Sequence, residues 1–399
     1  MILVLASAIG WLLLCATAAY SVLVLLAVYT VRGWHARQGA AVGVSILKPL
    51  YGAEPRLYEN LRSFCDQNYP TFQVVFGVQD TADPALAVAR QVKLDFPERD
   101  IDIVINSRVH GRNRKVGNLL NILERARHPW LVIADSDIEA SRDYLQRVCA
   151  PLAHADVGLV TCLYRSRALG GWWTHLGGLF IDEWFVPSVR LSYLFGSRRF
   201  GFGATIALRR ETLDVIGGFQ SIADELADDY RLGERTRRAG LSTVLSDYIV
   251  TTDVAETSPR ALLARELRWL RTIRMLNPLG YTFAFVSFDA AIAIIGALLA
   301  PVTPATRTLL ALTLATRAVL HFTVTAGSRG HFVRGLLTLP LVPLRDTLNL
   351  ILWGMGFARR RVVWAGRNLD FDNKGLFRND TSEPGHPEAG PTPPEHTTT

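Results

Sequence analysis

Residues 130–140, WLVIADSDIEA, join a buried-strand pattern to an acidic end, and this limits the folds that the chain can adopt. Residues 131–134 are all apolar, as in a strand of a parallel sheet that is covered on both faces. Asp135, Ser136 and Asp137 follow at once, and open α/β sheets bind ligands at the carboxyl ends of such strands. Two carboxylates one residue apart can hold Mg²⁺ or Mn²⁺ together with substrate phosphate. Asp-Ser-Asp is also common turn chemistry, so this stretch alone leaves both interpretations open.

Short apolar runs alternate with amphipathic helical patterns from residue 42 to about residue 245. This alternation predicts an α/β fold in which helices cover both faces of a parallel sheet. Asp80 ends FGVQD, just past one apolar run, as Asp135 ends LVIAD after another, and two such residues indicate a shared site more strongly than either alone. The predicted strands are residues 44–47, 74–78, 101–105, 131–134 and 157–163, and the predicted helices are residues 55–67, 84–96, 116–126 and 142–153.

A second acidic pair, Asp228 and Asp229, begins a predicted helix that ends near residue 239. Acidic residues are favoured in the first turn of any helix, so the pair alone does not indicate a site. A basic amphipathic helix is then predicted in residues 259–277, with leucines on one side and arginines mostly on the other. That arrangement is typical of a helix at a membrane surface. The helix contains RELRW, residues 265–269.

The first 31 residues carry no charged side chain and are long enough to cross a bilayer as an N-terminal anchor. Arg32 and Arg37 follow, and basic residues next to a membrane span favour the cytoplasmic side. We therefore predict a cytoplasmic domain over residues 42–258. Residues 381–399 are rich in Pro, Thr, Glu and Gly, a composition that predicts a disordered tail.

Two further apolar regions predict a multi-pass membrane protein. Residues 279–326 predict a transmembrane helical hairpin that contains Asp289, Arg317 and His321. Ionisable groups in a membrane are costly, so each of the three is expected to have a partner or to face a cavity. Residues 335–357 contain two prolines and the pair Arg-Asp, and they lie between basic clusters. We predict that this last segment is re-entrant or interfacial.

The net charge of +7 is concentrated in arginines beside the apolar segments. This placement favours an anionic membrane surface over nucleic acid, for which the sequence contains no recognised motif. A nucleotide-binding type of domain beside a basic interfacial helix fits a reaction between an anionic donor and a lipid acceptor. If the donor is a nucleotide diphosphate sugar, a metal and arginines must neutralise the leaving group, and a carboxylate must take the acceptor's proton.

The acidic motifs, a Lys-Pro pair and RELRW occur in the same order as in the ceramide glucosyltransferase family, which this chain resembles. Members of that family are inverting enzymes of glycosyltransferase A-type fold. SILKPLYGAEPRLYENLRSF, VQDTADPA and VGLVTCLYR also resemble that family. The similarity covers residues 42–276, and the terminal membrane segments match in placement. The motifs that carry the resemblance are Lys48-Pro49, Asp80, Asp135-Ser136-Asp137, Asp228-Asp229 and RELRW.

The resemblance implies a role for each matching residue. Donor binding is assigned to four residues, with Asp80 at the nucleoside. The carboxylates Asp135 and Asp137 would hold Mg²⁺ or Mn²⁺ with the diphosphate of a UDP-sugar, and Asp229 would be the general base. The four donor-binding residues are Lys48, Asp80, Lys115 and Asp135, and the catalytic residues are Asp229, Arg265, Arg268 and Trp269.

Two departures from the family pattern bear on the acceptor. The animal ceramide enzymes typically carry Asp-Ser-Gly where this chain has Asp137 as the third residue, and Asp228 replaces a glutamate. The acceptor lipid is therefore expected to be either ceramide or a hopanoid polyol, with glucose or N-acetylglucosamine as the sugar. The Ala- and Arg-rich composition fits a bacterial origin. The chain is therefore expected to be a bacterial inner-membrane member of the hopanoid N-acetylglucosaminyltransferase kind.

Two other functions remain open. A processive polysaccharide synthase shares the strand-end aspartates and the basic motif, but it needs an export channel, for which the predicted spans are few. A non-catalytic membrane protein that binds a nucleotide sugar is the other alternative, and the full set of carboxylates argues against it.

Overall fold

The computed structural model describes residues 1–35, 42–325, 331–358, 361–364 and 367–370. Its strands are β1 Val44–Pro49, β2 Phe72–Val78, β3 Asp100–Ile105, β4 Trp130–Ala134, β5 Ile138–Glu139, β6 Val157–Ala168, β7 Thr205–Arg209, β8 Ser242–Val254, β9 Arg361–Trp364 and β10 Arg367–Asp370. Its helices are α1 Ile2–Thr30, α2 Leu57–Cys65, α3 Ala85–Asp95, α4 Arg114–Leu123, α5 Tyr144–Cys149, α6 Gly171–Leu179, α7 Val186–Leu194, α8 Arg210–Val215, α9 Asp228–Arg238, α10 Pro259–Leu276, α11 Pro278–Phe283, α12 Asp289–Leu299, α13 Pro304–Thr325, α14 His331–Thr338 and α15 Leu341–Gly356.

Eight of these strands form one mixed sheet in the order β3-β2-β1-β4-β7-β6-β8-β5. The neighbours β3, β2, β1 and β4 are parallel, as predicted. The prediction of a wholly parallel sheet is wrong, because β7 runs antiparallel to both β4 and β6, and β5 runs antiparallel to β8. A five-residue run such as TIALR carries no signal of its direction, and it follows a glycine-rich segment that resembles a turn.

Helices cover both faces of the sheet, as the alternating pattern predicts. Ile46 packs in the core cluster that contains residues of α2, α3 and α5, whereas its neighbour Leu47 packs in the cluster that contains residues of α4, α8 and α9. Successive side chains of a strand point to opposite faces, so one apolar run supplies both cores. The carboxyl ends of β1, β2 and β4 lie side by side at one edge.

One predicted helix in the sheet domain is divided. Residues 142–153 form α5 followed by a short 3₁₀ turn, Ala150–Ala153, rather than one continuous helix. Pro151 lies in that turn and has no N–H to donate to the preceding helical turn, which accounts for the change.

Two helices, α1 and α13, are long and apolar enough to cross a membrane. A third crossing is added if the bent pair Pro278–Ser287 and Asp289–Leu299 forms one span. The first arm of the hairpin predicted in residues 279–326 is therefore not a single straight helix, since its two parts meet at 71°. The predicted re-entrant or interfacial segment, residues 335–357, forms the end of α14 and the whole of α15. The predicted disordered tail, residues 381–399, lies outside the described residues.

The ionisable groups of the apolar segments have partners, as expected from their cost in a membrane. Arg317 pairs with Glu183, and its guanidinium lies 3.2 Å from both Asp289 Oδ1 and Asp346 Oδ1. His321 Nδ1 lies 2.6 Å from Glu183 Oε1. Glu183 belongs to a π-helical turn, Phe180–Phe185, which joins α6 to α7. These pairs connect α12, α13 and α15 to the segment that follows β6 of the large sheet.

The chain joins the sheet directly after α1. Trp34 N donates to Leu245 O at 2.7 Å, and Asp247 N donates to Trp34 O at 3.3 Å. A Cβ on Gly33 would lie 2.2 Å from Ser246 O, so this close approach requires glycine. The end of α1 is thereby fixed against β8.

Candidate active site

A buried lysine binds the main chain of the acidic loop that follows β4. Lys48 is fully buried, and its Nζ donates to the main-chain oxygen of Asp135 at 2.6 Å. The ammonium also lies 3.7 Å from the centre of the Phe64 ring. Burial lowers the pKa of Lys48 to about 7, although Asp135 and Asp137 oppose this shift. Lys48 therefore reaches the site through the backbone of Asp135, and its predicted contact with the donor stays a prediction.

A second lysine, Lys115 in the first turn of α4, faces the carboxylates directly. Its Nζ lies 2.5 Å from Asp135 Oδ1 and 3.8 Å from Asp228 Oδ2. Burial alone lowers the pKa of Lys115, but Asp135 and Asp228 outweigh it, and the net shift is upward. Asn113 caps α4, since its Oδ1 accepts a hydrogen bond from Val116 N at 3.1 Å. Lys115 is thus a permanently charged contact between the end of β4 and the start of α9.

Asp229 is the carboxylate best arranged to act as a base. Gly203 N donates to its Oδ2 at 2.8 Å, and Tyr230 N donates to its Oδ1 at 2.7 Å. Burial raises the pKa of Asp229 to about 6, and repulsion from Asp228 adds to this shift. The repulsion comes from the neighbouring residue in the sequence, whereas the larger effect, that of burial, depends on the fold. The carboxylate is held in a fixed orientation and titrates near neutral pH.

Two glycines of the GFGA segment make this arrangement possible. A Cβ on Gly201 would lie 2.3 Å from the main-chain oxygen of Asp229. A Cβ on Gly203 would lie 3.1 Å from Lys115 Nζ, 3.4 Å from Asp229 Oδ2 and 3.5 Å from Asp135 Oδ2. Gly203 therefore lies among these three charged groups, and any side chain there would fill the space between them.

Asp137 is the second carboxylate of the acidic loop. Its Oδ2 accepts a hydrogen bond from Thr252 Oγ1 at 3.1 Å, and burial followed by repulsion from Asp135 raises the pKa of Asp137 to about 7. Glu54, which the sequence analysis did not identify, is near enough to add to this repulsion. Glu54 Oε2 is buried and has no hydrogen-bond partner in the described part of the chain. An excess of buried carboxylates over cations fits a site that takes up a divalent cation.

No group of three or more His, Cys, Asp or Glu side chains within residues 1–35, 42–325 and 331–358 has the geometry of a complete metal site. Asp135 and Asp137 would therefore supply two ligands at most, and the remaining oxygens would come from substrate and water. Mg²⁺ commonly binds in this way, through one or two carboxylates together with phosphate oxygens.

The RELRW residues of α10 carry positive charge that is not fully paired. Arg265 Nη1 lies 2.9 Å from Glu256 Oε2, but Arg265 Nε and Nη2 are buried without a hydrogen-bond partner among the described residues. The guanidinium of Arg268 has neither an ion-pair nor a hydrogen-bond partner in the same part of the chain. Burial and the nearby Arg265 lower the pKa of Arg268, while Asp135 and Asp228 oppose this. Two adjacent, incompletely paired arginines form a site for an anion.

Trp269 packs in an aromatic cluster, and the Arg265 guanidinium lies 5.7 Å from the centre of its ring. Its ring centre lies 6.2 Å from that of Tyr164, 5.8 Å from that of Phe180 and 6.2 Å from that of Phe185. Phe185 in turn contacts Phe202, the residue before Gly203, at 5.1 Å. The cluster thus forms an apolar wall between the carboxylates and the membrane-type helices.

Asp80 lies in a separate cavity of about 520 Å³ at the ends of β1, β2 and β3. Asp80 Oδ1 accepts a hydrogen bond from Ala82 N at 2.9 Å, and the side chain is exposed. Arg114 lines the same cavity, whereas the next residue, Lys115, contacts Asp135. The first turn of α4 therefore adjoins both the cavity and the carboxylate cluster. The cavity is also lined by Tyr51, Gly52, Gln79, Asp83, His110 and Gly117.

The sequence profile of Glycosyl transferase family 21 matches residues 10–377. The chain belongs to this family. Ceramide glucosyltransferase 3 of Caenorhabditis elegans is 26% identical over 233 residues, which are 57% of this chain and 50% of that relative. Ceramide glucosyltransferase of Candida albicans is 32% identical over 116 residues, which are 26% of this chain and 21% of that relative. The chain thus spans half the length, or less, of these curated relatives.

A solved structure confirms the fold. The mannosyltransferase PcManGT from Pyrobaculum calidifontis, in complex with GDP-Man and Mn²⁺, matches with a TM-score of 0.52 and 18% sequence identity. The match covers 88% of this chain and 97% of that one. The family resemblance and the glycosyltransferase A-type fold predicted from the sequence are confirmed, whereas the roles of individual residues stay predictions.

We expect Gly203→Ala to lower the turnover of a nucleotide sugar by on the order of 100-fold, because small displacements of reacting groups have effects of this size. The new methyl group would lie among Lys115, Asp229 and Asp135. The measurement is steady-state turnover together with the thermal unfolding midpoint. Gly354→Ala is the control, since a Cβ there meets no atom within 4 Å. Normal turnover of the Gly203→Ala variant would show that the space beside Gly203 is not used in the reaction.

Proposed function

We propose that the chain transfers one hexose from a UDP-sugar to a hydroxyl group of a membrane lipid, with inversion at the sugar carbon. The observation that carries this proposal is the meeting of three features at one place. A fixed carboxylate of raised pKa, Asp229, lies with the acidic pair Asp135 and Asp137, and the incompletely paired Arg265 and Arg268 lie beside them. The names of the curated relatives support the sugar and the lipid acceptor.

The donor would lie across the edge of the sheet. Its nucleoside would occupy the cavity that contains Asp80, and its diphosphate would extend past Lys115 toward Asp135 and Asp137. When bound, Mg²⁺ or Mn²⁺ neutralises charge on the diphosphate as the leaving group departs. The solved complex of PcManGT with GDP-Man and Mn²⁺ supports a divalent cation here. The two arginines of α10 would contact the same diphosphate from the membrane side.

Asp229 would remove the proton from the acceptor hydroxyl. A single displacement requires one base and no covalent intermediate, so one carboxylate with a fixed orientation is sufficient. The two backbone N–H groups that bind Asp229 fix both of its oxygens. Asp228 is already near Lys115 and Asn113, which makes it the less available member of the pair.

The acceptor would approach along the aromatic wall formed by Tyr164, Phe185 and Trp269. We propose ceramide or a hopanoid polyol as the acceptor, glucose or N-acetylglucosamine as the sugar, and a bacterial inner membrane with the sheet domain on its cytoplasmic side. A processive synthase is disfavoured because two or three candidate spans in the described chain are few for an export channel. A purely binding function is disfavoured by the arrangement of Asp229.

The test is transfer by the purified full-length chain in detergent. UDP-glucose and UDP-N-acetylglucosamine are each combined with ceramide and with a hopanoid polyol, with Mn²⁺ or with a chelator, and the products are analysed by mass spectrometry. We expect one added hexose per lipid, lost with the chelator and restored by Mn²⁺. Polymeric product would support the synthase, and donor binding without any turnover would support the binding protein.

Asp229→Asn should lower turnover by about 100-fold to 10,000-fold, the usual contribution of a general base. The amide keeps the shape of the carboxylate but cannot accept the acceptor's proton. Donor-nucleotide affinity, measured by calorimetry, should stay near that of the original protein. Asp214→Asn, at an exposed position of α8, is the matched control. Near-normal turnover of the Asp229→Asn variant would remove Asp229 from this role.

The pH dependence of kcat/KM should show one limb on the acid side, centred near the pKa of about 6 for Asp229. The base acts only when it is ionised, so activity should fall as the pH decreases through this value and should level off above it. The measurement is kcat/KM between about pH 5 and pH 8, at a fixed and saturating metal concentration. If the residual kcat/KM of the Asp229→Asn variant still falls at acid pH in the same way, the acid limb belongs to another group.

A further inference from the structure

Arg345 is an arginine in the middle of an apolar segment, and the proposed reaction does not account for it. Its side chain is fully buried in α15. Arg345 Nη1 lies 3.0 Å from Glu266 Oε1, and Arg345 Nη2 lies 2.6 Å from Glu266 Oε2. Glu266 is also fully buried. The two residues therefore form a bidentate ion pair that is closed to water.

The same guanidinium contacts further groups. Arg345 Nη1 donates to Leu176 O in α6 at 3.2 Å, and Arg345 Nε donates to Asn349 Oδ1 at 2.9 Å. The guanidinium also lies 5.3 Å from the centre of the Phe180 ring. Arg345 thus ties together α6, α10 and α15 at one point.

Glu266 is the second residue of RELRW, so this pair holds the motif itself. The buried residues of α10 are Leu262, Glu266 and Leu270, which follow each other at intervals of one helical turn. With Glu266 on the inward side, Arg265 and Trp269 lie on one flank of the helix, and Arg268, two residues after Glu266, lies on the side away from it. The Arg345–Glu266 pair therefore acts, together with the buried Leu262 and Leu270, on the rotation of α10 about its axis and so on the direction of both arginines.

The next residue of α15 is fixed to the membrane-type helices. Asp346 Oδ1 lies 3.2 Å from Arg317 Nη2 in α13, and Asp346 Oδ2 accepts a hydrogen bond from Ala290 N in α12 at 3.2 Å. Neighbouring residues of a helix point in directions about 100° apart, so Arg345 and Asp346 serve different contacts. Through α15, the orientation of α10 is therefore fixed relative to α12 and α13.

A buried ion pair is a poor source of stability, because removing two charges from water costs about as much as their attraction returns. Apolar side chains of similar size would hold these helices together at least as well. Unlike an apolar contact, however, a bidentate pair of an arginine and a carboxylate permits one relative orientation. Orientation is what the RELRW arginines need if they are to contact a diphosphate.

We propose that Arg345 is a positioning residue that acts through Glu266 to hold Arg265 and Arg268 in the orientation that sugar transfer requires. The part of this proposal that concerns catalysis rests on the proposed function. Its structural part, the immobilisation of α10, stands without it. We name this Arg345–Glu266 pair the α10 clasp.

Arg345→Lys tests the clasp with the charge retained. Lysine still neutralises Glu266, so the protein should fold, but it cannot reproduce the two parallel hydrogen bonds. We expect faster hydrogen exchange in α10 and a kcat at least about tenfold lower, with the acid limb of the pH profile unchanged. Arg142→Lys is the matched control, since Arg142 also binds both oxygens of an aspartate, Asp66, but at the surface.

The double variant Glu266→Met/Arg345→Met separates positioning from stability. It leaves no buried charge unpaired at the clasp, although Asn349 Oδ1 loses its donor, so the unfolding midpoint should fall less than in Arg345→Met alone, while kcat falls on the order of 100-fold. Recovery of both the unfolding midpoint and kcat in this variant would make the pair merely structural and would overturn the proposal.

The two readouts also separate this proposal from the proposed function. Unchanged hydrogen exchange in α10 of the Arg345→Lys variant would contradict the clasp, whatever the activity. If the original protein transfers no sugar to any lipid tested, the proposed function fails. Hydrogen exchange then still decides whether Arg345 immobilises α10.

Discussion

The contact between Lys115 and the carboxylates around it is the interaction on which the site depends. Asp135 comes from the end of β4, Asp228 from the start of α9, and Lys115 from the first turn of α4, so three separate segments meet at one ammonium group. Buried carboxylates repel each other strongly, and without this cation they could not lie together in their ionised forms. Lys115 thereby permits a density of negative charge that would otherwise separate the strand from the helix. Asp137 and Asp229 form no ion pair with it, and burial followed by repulsion from the neighbouring carboxylates raises the pKa of each.

The charges of the site are divided between two sides. The carboxylates project from the sheet and from α9, whereas Arg265 and Arg268 project from α10, which packs against the membrane-type helices through α15. Neither side is neutral alone, since the acidic side has too few cations and Arg268 has no partner among the described residues. A ligand that carries a diphosphate and brings a divalent cation would complete both sides at once. Binding of such a ligand would reduce the repulsion on each side of the site.

The sequence predicts those parts of the structure that depend on local patterns. The strand pattern at residues 131–134, the helix at Pro259–Leu276 and the acidic ends of β2 and β4 follow from periodicity and from turn chemistry. The antiparallel β7 could not be predicted, because the direction of a short strand is set by the path of the chain and not by its composition. The importance of Gly203 could not be predicted either, since it depends on Lys115 and Asp229, which are distant in the sequence. Glu54 gave no signal, because a single acidic residue in a loop is ordinarily solvated.

The surroundings of Arg345 and Asp346 also depend on residues that are distant in the sequence. From the sequence, the prolines, the Arg-Asp pair and the flanking basic clusters of residues 335–357 predict a re-entrant or interfacial segment. In the structure both Arg345 and Asp346 are buried, and each is paired with a different element. The charges therefore do not mark a surface; they connect α10, which carries the RELRW arginines, to α13, which is long and apolar enough to cross a membrane. Because α15 holds both contacts, a displacement of α15 would also move α10 and its arginines.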